Sequence, residues 1–176
     1  MKLDNLIKIT NGYAFQSKSF TANNNNSNEI PVVKIKELKN GVIQFTKDTC
    51  FVNYDPLLDN YLLKNGDILV ALTGNPPTKG GIGAMVGRCS KYNLDIASYL
   101  NQRVCKVESS SKQLNNKYLY YFLSLNKTIY GLASKCSGSA NQANISSNDI
   151  KNMEFNLIPI DKQQHIVNIN RSNAYA

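Results

Sequence analysis

The sequence predicts a mixed α/β fold of the α+β kind, one domain built on a twisted sheet of mixed or mainly antiparallel strands with flanking helices. Three observations carry this. Short apolar runs bounded by Gly, Asn and Pro fill the chain before residue 110, a helical apolar period begins only at residue 116, and a capping pattern opens a last helix near the C-terminus. A length of 176 residues suits one core, since single domains run to about 100–200 residues.

Taken in order, Val32-Val33-Lys34-Ile35-Lys36 alternates like a strand and leads through Asn40-Gly41 into Val42-Ile43-Gln44-Phe45. An Asn-Gly pair favours a two-residue hairpin turn because both residues tolerate positive φ. Upstream, Asn23 to Asn26 with Ser27 and Asn28 form a low-complexity polar stretch that reads as a loop. Asn65-Gly66-Asp67 is a turn before Ile68-Leu69-Val70-Ala71-Leu72, a wholly apolar run that reads as the centre of the sheet. Residues 73–83 are too rich in Gly and Pro to be regular, residues 84–87 read as the next strand, and residues 104–107 close the strand-rich part. Tyr118, Leu119, Phe122 and Leu125 then recur at helical spacing, with Ile129 and Leu132 continuing the stripe. Residues 134–144 form a second small-polar loop, and a short helix follows near Ser147. Residues 153–158 read as a strand ending at Pro159, and Asp161-x-x-Gln164 as a capping box with Ile160 as its hydrophobic staple.

Hydrophobic residues make up 42% of the chain, enough for a core and too many for disorder. Twenty Lys and Arg against twelve Asp and Glu leave a formal charge of +8, which points to a polyanionic partner, nucleic acid before an anionic membrane surface. The excess is concentrated. Residues 109–148 hold no acid but carry Lys112, Lys117, Lys127 and Lys135, and residues 68–94 hold none but carry Lys79, Arg88 and Lys91. No apolar run approaches the ~18 residues of a membrane span and the first residues have no signal core, so a cytoplasmic protein without membrane contact is expected. Cys50, Cys89, Cys105 and Cys136 are too widely spread for paired zinc spacings and read as buried or incidental thiols. A single histidine, His165, excludes any mechanism that needs two.

One tripeptide bears on catalysis. Asn75-Pro76-Pro77 resembles the core of the Asn-Pro-Pro-aromatic motif of DNA amino-methyltransferases, in which amide and carbonyl oxygens accept the target amino protons and the aromatic ring stacks on a flipped base. Thr78 stands in the aromatic position, and no Gly-rich strand-turn-helix follows to hold S-adenosylmethionine. Gly80-Gly81-Ile82-Gly83 lacks the Lys-Ser/Thr of a phosphate loop. Recognition chemistry remains. The loop from Lys135 through Ser137, Gly138, Ser139, Asn141 and Gln142 to Asn144, and the loop with Thr73, Asn75, Thr78 and Lys79, carry amides that pair bidentately with adenine and ammonium groups that reach guanine or phosphate. Composition leaves two readings open for both loops, base readout and an ordinary polar surface.

Seven segments in order resemble the target recognition domains of specificity subunits in type I restriction-modification systems. Residues 12–20, beginning Gly-Tyr-Ala-Phe-Gln-Ser-Lys, are similar to that family's Gly-Tyr-Ala-Phe-Lys-Ser segment. Residues 30–41 and 66–70 resemble its first strand pair and central strand, and residues 74–87 its Gly-rich turn. Asn101-Gln102-Arg103 matches its Asn-Gln-Arg segment, residues 138–146 its Gly-Ser-x-Gln-x-Asn-Ile-Ser loop, and residues 157–167 the start of its Pro-Pro-x-x-Glu-Gln helix.

The resemblance implies a module that binds one half of a split double-stranded DNA target and hands it to methyltransferase (M) subunits, with the restriction (R) subunit joining later. It implies no chemistry and no cofactor in this chain: S-adenosylmethionine, ATP and Mg would belong to partner subunits. Residues 73–79 and 138–144 are carried over as groove-facing loops, and Ser17 and Lys18 as phosphate or base-edge contacts. Lys34 and Lys36, spaced to share one strand face, are either further contacts or a solvated face. The expected boundaries are a recognition domain at 1–158 and the start of a connecting helix at 159–176, making the chain a half-subunit, a truncation or an excised domain, with self-pairing if it is a natural half-subunit. Two other classes stay in view: a small adenine methyltransferase using Asn75-Pro76-Pro77, and a single-strand binder stacking bases on Tyr118, Tyr120, Tyr121 and Phe122.

Overall fold

The computed structural model describes residues 1–22, 28–79, 81–139 and 142–173. The Asn-rich stretch 23–26, Gly80 and Asn141 lie outside the described residues. The strands in chain order are β1 (Ile7–Asn11), β2 (Glu29–Val33), β3 (Leu38–Lys39), β4 (Val42–Ile43), β5 (Phe51–Asn53), β6 (Leu62–Leu63) and β7 (Ile68–Ala71). There follow β8 (Thr73–Gly74), β9 (Cys89–Lys91), β10 (Ser98–Leu100), β11 (Val104–Ser109), β12 (Ser137–Ser139) and β13 (Gln142–Asn144). The helices are α1 (Asn116–Ser124), α2 (Asn126–Ala133), α3 (Ser147–Lys151) and α4 (Ile160–Asn173).

A six-stranded sheet runs β1-β11-β7-β9-β4-β3, beside a four-stranded sheet β5-β2-β10-β6 and a three-stranded sheet β12-β13-β8. The β4–β9 and β2–β10 pairs are parallel and the others antiparallel. This is the mixed α+β arrangement expected.

Strand β7 explains its own sequence. Ile68 and Val70 face one core with Cys105, Val107 and the helix residues Leu119, Leu123, Ile129 and Leu132, whereas Leu69 and Ala71 face a second with Val33, Leu38, Ile43 and Leu100. A strand covered on both sides has no solvent face on which to place polar residues, hence the unbroken apolar run. At the ~1.5–3 kcal/mol that burial of each large aliphatic side chain contributes, this strand anchors the domain.

Elsewhere the structure departs from the sequence reading. Strand β2 stops at Val33, because Glu37 reaches back to accept a hydrogen bond from the Lys34 backbone N–H (3.0 Å) and draws Ile35–Glu37 into a 3-10 turn. Lys34 and Lys36 therefore do not share a strand face. The Asn40-Gly41 turn is present, with φ of 51° and 78°, joining β3 to β4. The strand expected at 84–87 is a 3-10 turn and a reversal at Gly87 (φ 80°), and pairing with β7 begins at Cys89. The buried Arg88 guanidinium holds this reversal by donating to the carbonyls of Leu38, Ala84, Met85 and Ile35. The helical stripe is two helices, since Leu125 takes an extended backbone (ψ 135°) between α1 and α2.

Residues 153–158 bury Met153 and Phe155 in alternation, yet form only one bridge, Lys2 to Glu154. The N-terminal residues offer three main-chain bonds there among the described residues, Leu3 N to Met153 O, Phe155 N to Met1 O and the Met1 amino group to Phe155 O, and the pairing does not extend into a ladder. Helix α4 starts at Ile160, which is the first helical residue rather than one before the cap and is 47% exposed. Gln163, wholly buried, fastens the helix instead: its oxygen accepts from Asn115 N–H (2.9 Å) and its amide donates to the carbonyls of Gln113 (2.8 Å) and Ile158 (2.7 Å).

Candidate nucleic-acid interface

The two polar loops of the sequence meet in the three-stranded sheet. Residues 137–139 and 142–144 are strands of one hairpin, paired Ser137 to Asn144 and Ser139 to Gln142, and β13 pairs in turn with β8, Ala143 to Gly74 and Asn144 to Thr73. The sequence reading expected loops because these strands are short and made of Ser, Gly, Asn and Gln, which have low strand propensity. What holds them is alternation: Ala143 and Ile145 are buried in the main core while Gln142 and Asn144 face solvent.

Gly74 makes the junction possible. A Cβ there would lie 2.5 Å from Val86 N, 2.8 Å from Met85 C and 2.9 Å from Ala84 O, all backbone atoms. Asn75 is fastened by its main chain in the same place, its N–H donating to Ala84 O (2.9 Å) and its carbonyl accepting from Val86 N–H (3.0 Å). Pro76 O accepts from Lys79 N–H (3.0 Å), closing a turn that holds Thr78 and Lys79 exposed at its end.

The candidate residues thus divide. Thr73 is buried and its hydroxyl donates to the Asn144 side-chain oxygen (2.9 Å), so this pair locks β8 to β13 and positions the hairpin. Gln142 and Ser137 are exposed on the hairpin, and Lys135 is exposed just before it. Gly138 and Ser139 lie on β12, and Asn141 lies outside the described residues. Ser17 and Lys18 sit in a separate 3-10 turn, Ser17–Ser19. Lys34 lies half-buried with its ammonium 3.4 Å from the centre of the Phe20 ring, and exposed Lys36 reaches Asp48 O and Glu37 (3.8 Å).

Catalytic and stacking alternatives lose their geometry. The Pro76 carbonyl is engaged in its turn. Tyr118 and Phe122 pack edge-on against Phe155, and the Tyr120 hydroxyl donates to Gly41 O (3.2 Å), so the aromatic stripe is core. Cys89 and Cys105 are fully buried; burial pushes the Cys105 thiol up to about 12 and raises that of Cys89 as well. His165 is exposed on α4. Among the described residues, no helix is long and apolar enough to cross a membrane.

The family model for the type I restriction modification DNA specificity domain matches residues 1–169. The chain belongs to that family. Among curated relatives, this specificity domain is 24% identical over 160 residues to the Type I restriction enzyme EcoBI specificity subunit of Escherichia coli, covering 91% of this chain and 28% of the relative. Its fold resembles that of the HsdS subunit from Thermoanaerobacter tengcongensis, with a TM-score of 0.65 and 17% identity over 98% of this chain and 36% of that one. It also resembles a chain from a structural study of complex assembly and conformational transition in a type I R-M system, with a TM-score of 0.68 and 16% identity over 99% of this chain and 37% of the other. The specificity domain spans little more than a quarter of the curated relative.

Sequence reasoning quoted one further segment without assigning it a contact role. Asn101, Gln102 and Arg103 connect β10 to β11 and line a cavity with Lys34 and Ser17. The available signal was the Asn-Gln-Arg segment itself, an amide pair and a cation between two apolar strands.

Proposed function

We propose that this domain reads sequence in double-stranded DNA, with the β12–β13 hairpin and the 73–79 turn presented to the major groove. One observation carries the reading: two segments rich in amides and cations, far apart in sequence, are built into one small sheet whose inner residues are anchored in the core and whose outer residues, Gln142 foremost, are free to meet base edges. The +8 charge supplies attraction for phosphates. In this reading Thr73 and Asn144 position the hairpin, Gln142 and Asn141 read bases, and Lys79, Lys135 and the lysines of the acid-free segment supply affinity.

The E. coli relative is named a specificity subunit, and the assembly study concerns a type I R-M system. Both support a role in which the domain, itself non-catalytic, binds one half of a split target and directs M subunits to it, with the R subunit joining the complex and S-adenosylmethionine, ATP and Mg2+ held by those partners. Residues 1–158 are the recognition unit and residues 159–176 begin a connecting helix; two such chains pair if each is a half-subunit. The work is done in the cytoplasm, where its DNA lies.

Selection of bound duplexes from a random pool in the presence of M subunits defines the preferred site. Gln142→Ala then costs about 1–3 kcal/mol on that site and little on a scrambled duplex, whereas Lys127→Ala weakens both alike. Equal losses on both duplexes for Gln142→Ala remove base readout from the hairpin.

A further inference from the structure

Segments scattered through the sequence close around one cavity of about 300 Å3. Its lining includes Phe20, Lys34, Lys36, Asn101, Gln102 and Arg103, with Ser17 at its edge, and no acidic residue lines it among the described residues. The packing is tight: Tyr13 N–H donates to Leu100 O (2.8 Å), Gln102 N–H to Tyr13 O (3.0 Å) and Asn101 N–H to Val33 O (3.1 Å).

The polar groups of this cavity differ from structural ones elsewhere. Arg88 spends its guanidinium on four carbonyl contacts, whereas the exposed Arg103 guanidinium has no hydrogen bond or ion pair among the described residues. Asn101 is largely buried, and its side-chain amide, which bonds to no described residue, keeps its polar atoms at the cavity surface. The Glu37 carboxylate, the acid bonded to this region, is turned away into bonds with Lys34 N–H (3.0 Å) and the Thr49 hydroxyl (3.4 Å) and an ion pair with Lys36. One cation without a partner among the described residues, Arg103, beside the Asn101 amide and the ring-held Lys34 ammonium in a cavity lined by no acid, suits a single anion.

We propose that this cavity seats one phosphate of the DNA backbone flanking the groove that the hairpin enters, an inference that rests on the recognition reading above. Two backbone bonds link the places: Leu72 N–H donates to Arg103 O (2.9 Å) and Ile145 N–H to Leu72 O (2.9 Å). Adjacent strands lie about 4.8 Å apart, so the hairpin's exit is about 10 Å from Arg103. A major groove is about 12 Å wide, so a hairpin lying in it places a phosphate wall within reach of an arginine side chain. Arg103 and Lys34 supply charge, Asn101 and Ser17 supply donors, and the seat fixes register without reading bases.

The test measures binding of the selected duplex and a scrambled duplex from low to moderate salt, for the wild-type chain, Arg103→Ala and Arg103→Lys. Arg103 is exposed, so neither variant disturbs packing, and thermal melts confirm it. Arg103→Ala is expected to weaken binding to both duplexes by a similar factor, about five- to tenfold, and to reduce the salt slope by about 1, with the slope retained in Arg103→Lys. Single methylphosphonate linkages, which remove one phosphate charge each, should include one that weakens wild-type binding but adds nothing to Arg103→Ala. An unchanged salt slope in Arg103→Ala overturns the seat while leaving the recognition reading standing, and so does a loss confined to the selected duplex, which makes Arg103 a base reader. Absence of duplex binding by the wild-type chain overturns both.

Discussion

Replacing Gln163 by leucine removes three hydrogen bonds at almost constant side-chain volume. The groups left behind are Asn115 N–H, Gln113 C=O and Ile158 C=O, at a position with no exposure of its own. A buried group stripped of its partner costs about 1–3 kcal/mol, and leucine recovers part of that by apolar burial and water reaches part of the rest, so a net loss of about 2–4 kcal/mol is expected. Against a total stability of about 5–15 kcal/mol this is large. In urea, with m near 2 kcal/mol/M, the midpoint falls by about 1–2 M. Hydrogen exchange should quicken first in α4 and at Asn115, because the lost bonds join α4 to the turn before α1. Gln163→Glu separates the contributions. Its carboxylate still accepts from Asn115 N–H but faces two carbonyls, so burial and those oxygens raise its folded pKa above the unfolded value. Stability of that variant is then greatest below pH ~4.3 and declines as pH rises through the folded pKa. A midpoint shift under about 0.3 M for Gln163→Leu, or a Gln163→Glu variant equally stable at pH 4.5 and 7.5, refutes the clamp.

Other consequences are measurable. Gly74→Ala forces a Cβ against the backbone of residues 84–86 and should cost about 1–3 kcal/mol while lowering duplex affinity through displacement of β13; unchanged melting and binding would show that the junction gives way freely. Burial holds the Glu37 carboxyl above its usual range, so this group favours the fold at low pH and its contribution declines as pH rises through the raised value; Glu37→Gln should flatten that part of the stability profile between pH 4.5 and 7.5. Asp149 works in the opposite sense. The Ser146 hydroxyl, with the Ser146 backbone N–H, holds its carboxyl low, so the stability of the α3 cap is present at neutral pH and lost on acidification through the folded pKa, and Ser146→Ala should reduce this acid sensitivity. Maleimide should label the native chain at Cys50 and Cys136 alone and reach Cys89 and Cys105 only in denaturant; native labelling at either buried thiol would place it outside the core.

Local chemistry was legible in the sequence wherever it acts within a few residues. The Asn40-Gly41 turn, the short helix near Ser147 and the all-apolar β7 depend on backbone freedom, nearest-neighbour hydrogen bonds and burial on both faces, and each stands where the pattern placed it. Long-range pairing was not legible. Met153 and Phe155 alternate as a strand would, but a strand needs a neighbour and finds only a bridge to Lys2. Residues 137–139 and 142–144 look like loop and become strands because Thr73 and Gly74 supply the edge that β13 pairs with.

The candidate site divides in the same way. Residue types and charge, read one by one, pointed to a polyanionic partner and to the amide- and cation-rich segments around residues 73 and 140 as candidates for recognition, because hydrogen-bonding capacity and charge belong to side chains. Tertiary structure alone decided which of those side chains remain free. Thr73 and Asn144 are bonded to each other, Lys36 is drawn to Glu37, Arg88 is buried on carbonyls, and Arg103 has no hydrogen bond or ion pair from its guanidinium among the described residues. A side chain's availability depends on neighbours brought by chain segments tens of residues away, and that information resides in the pairing of strands.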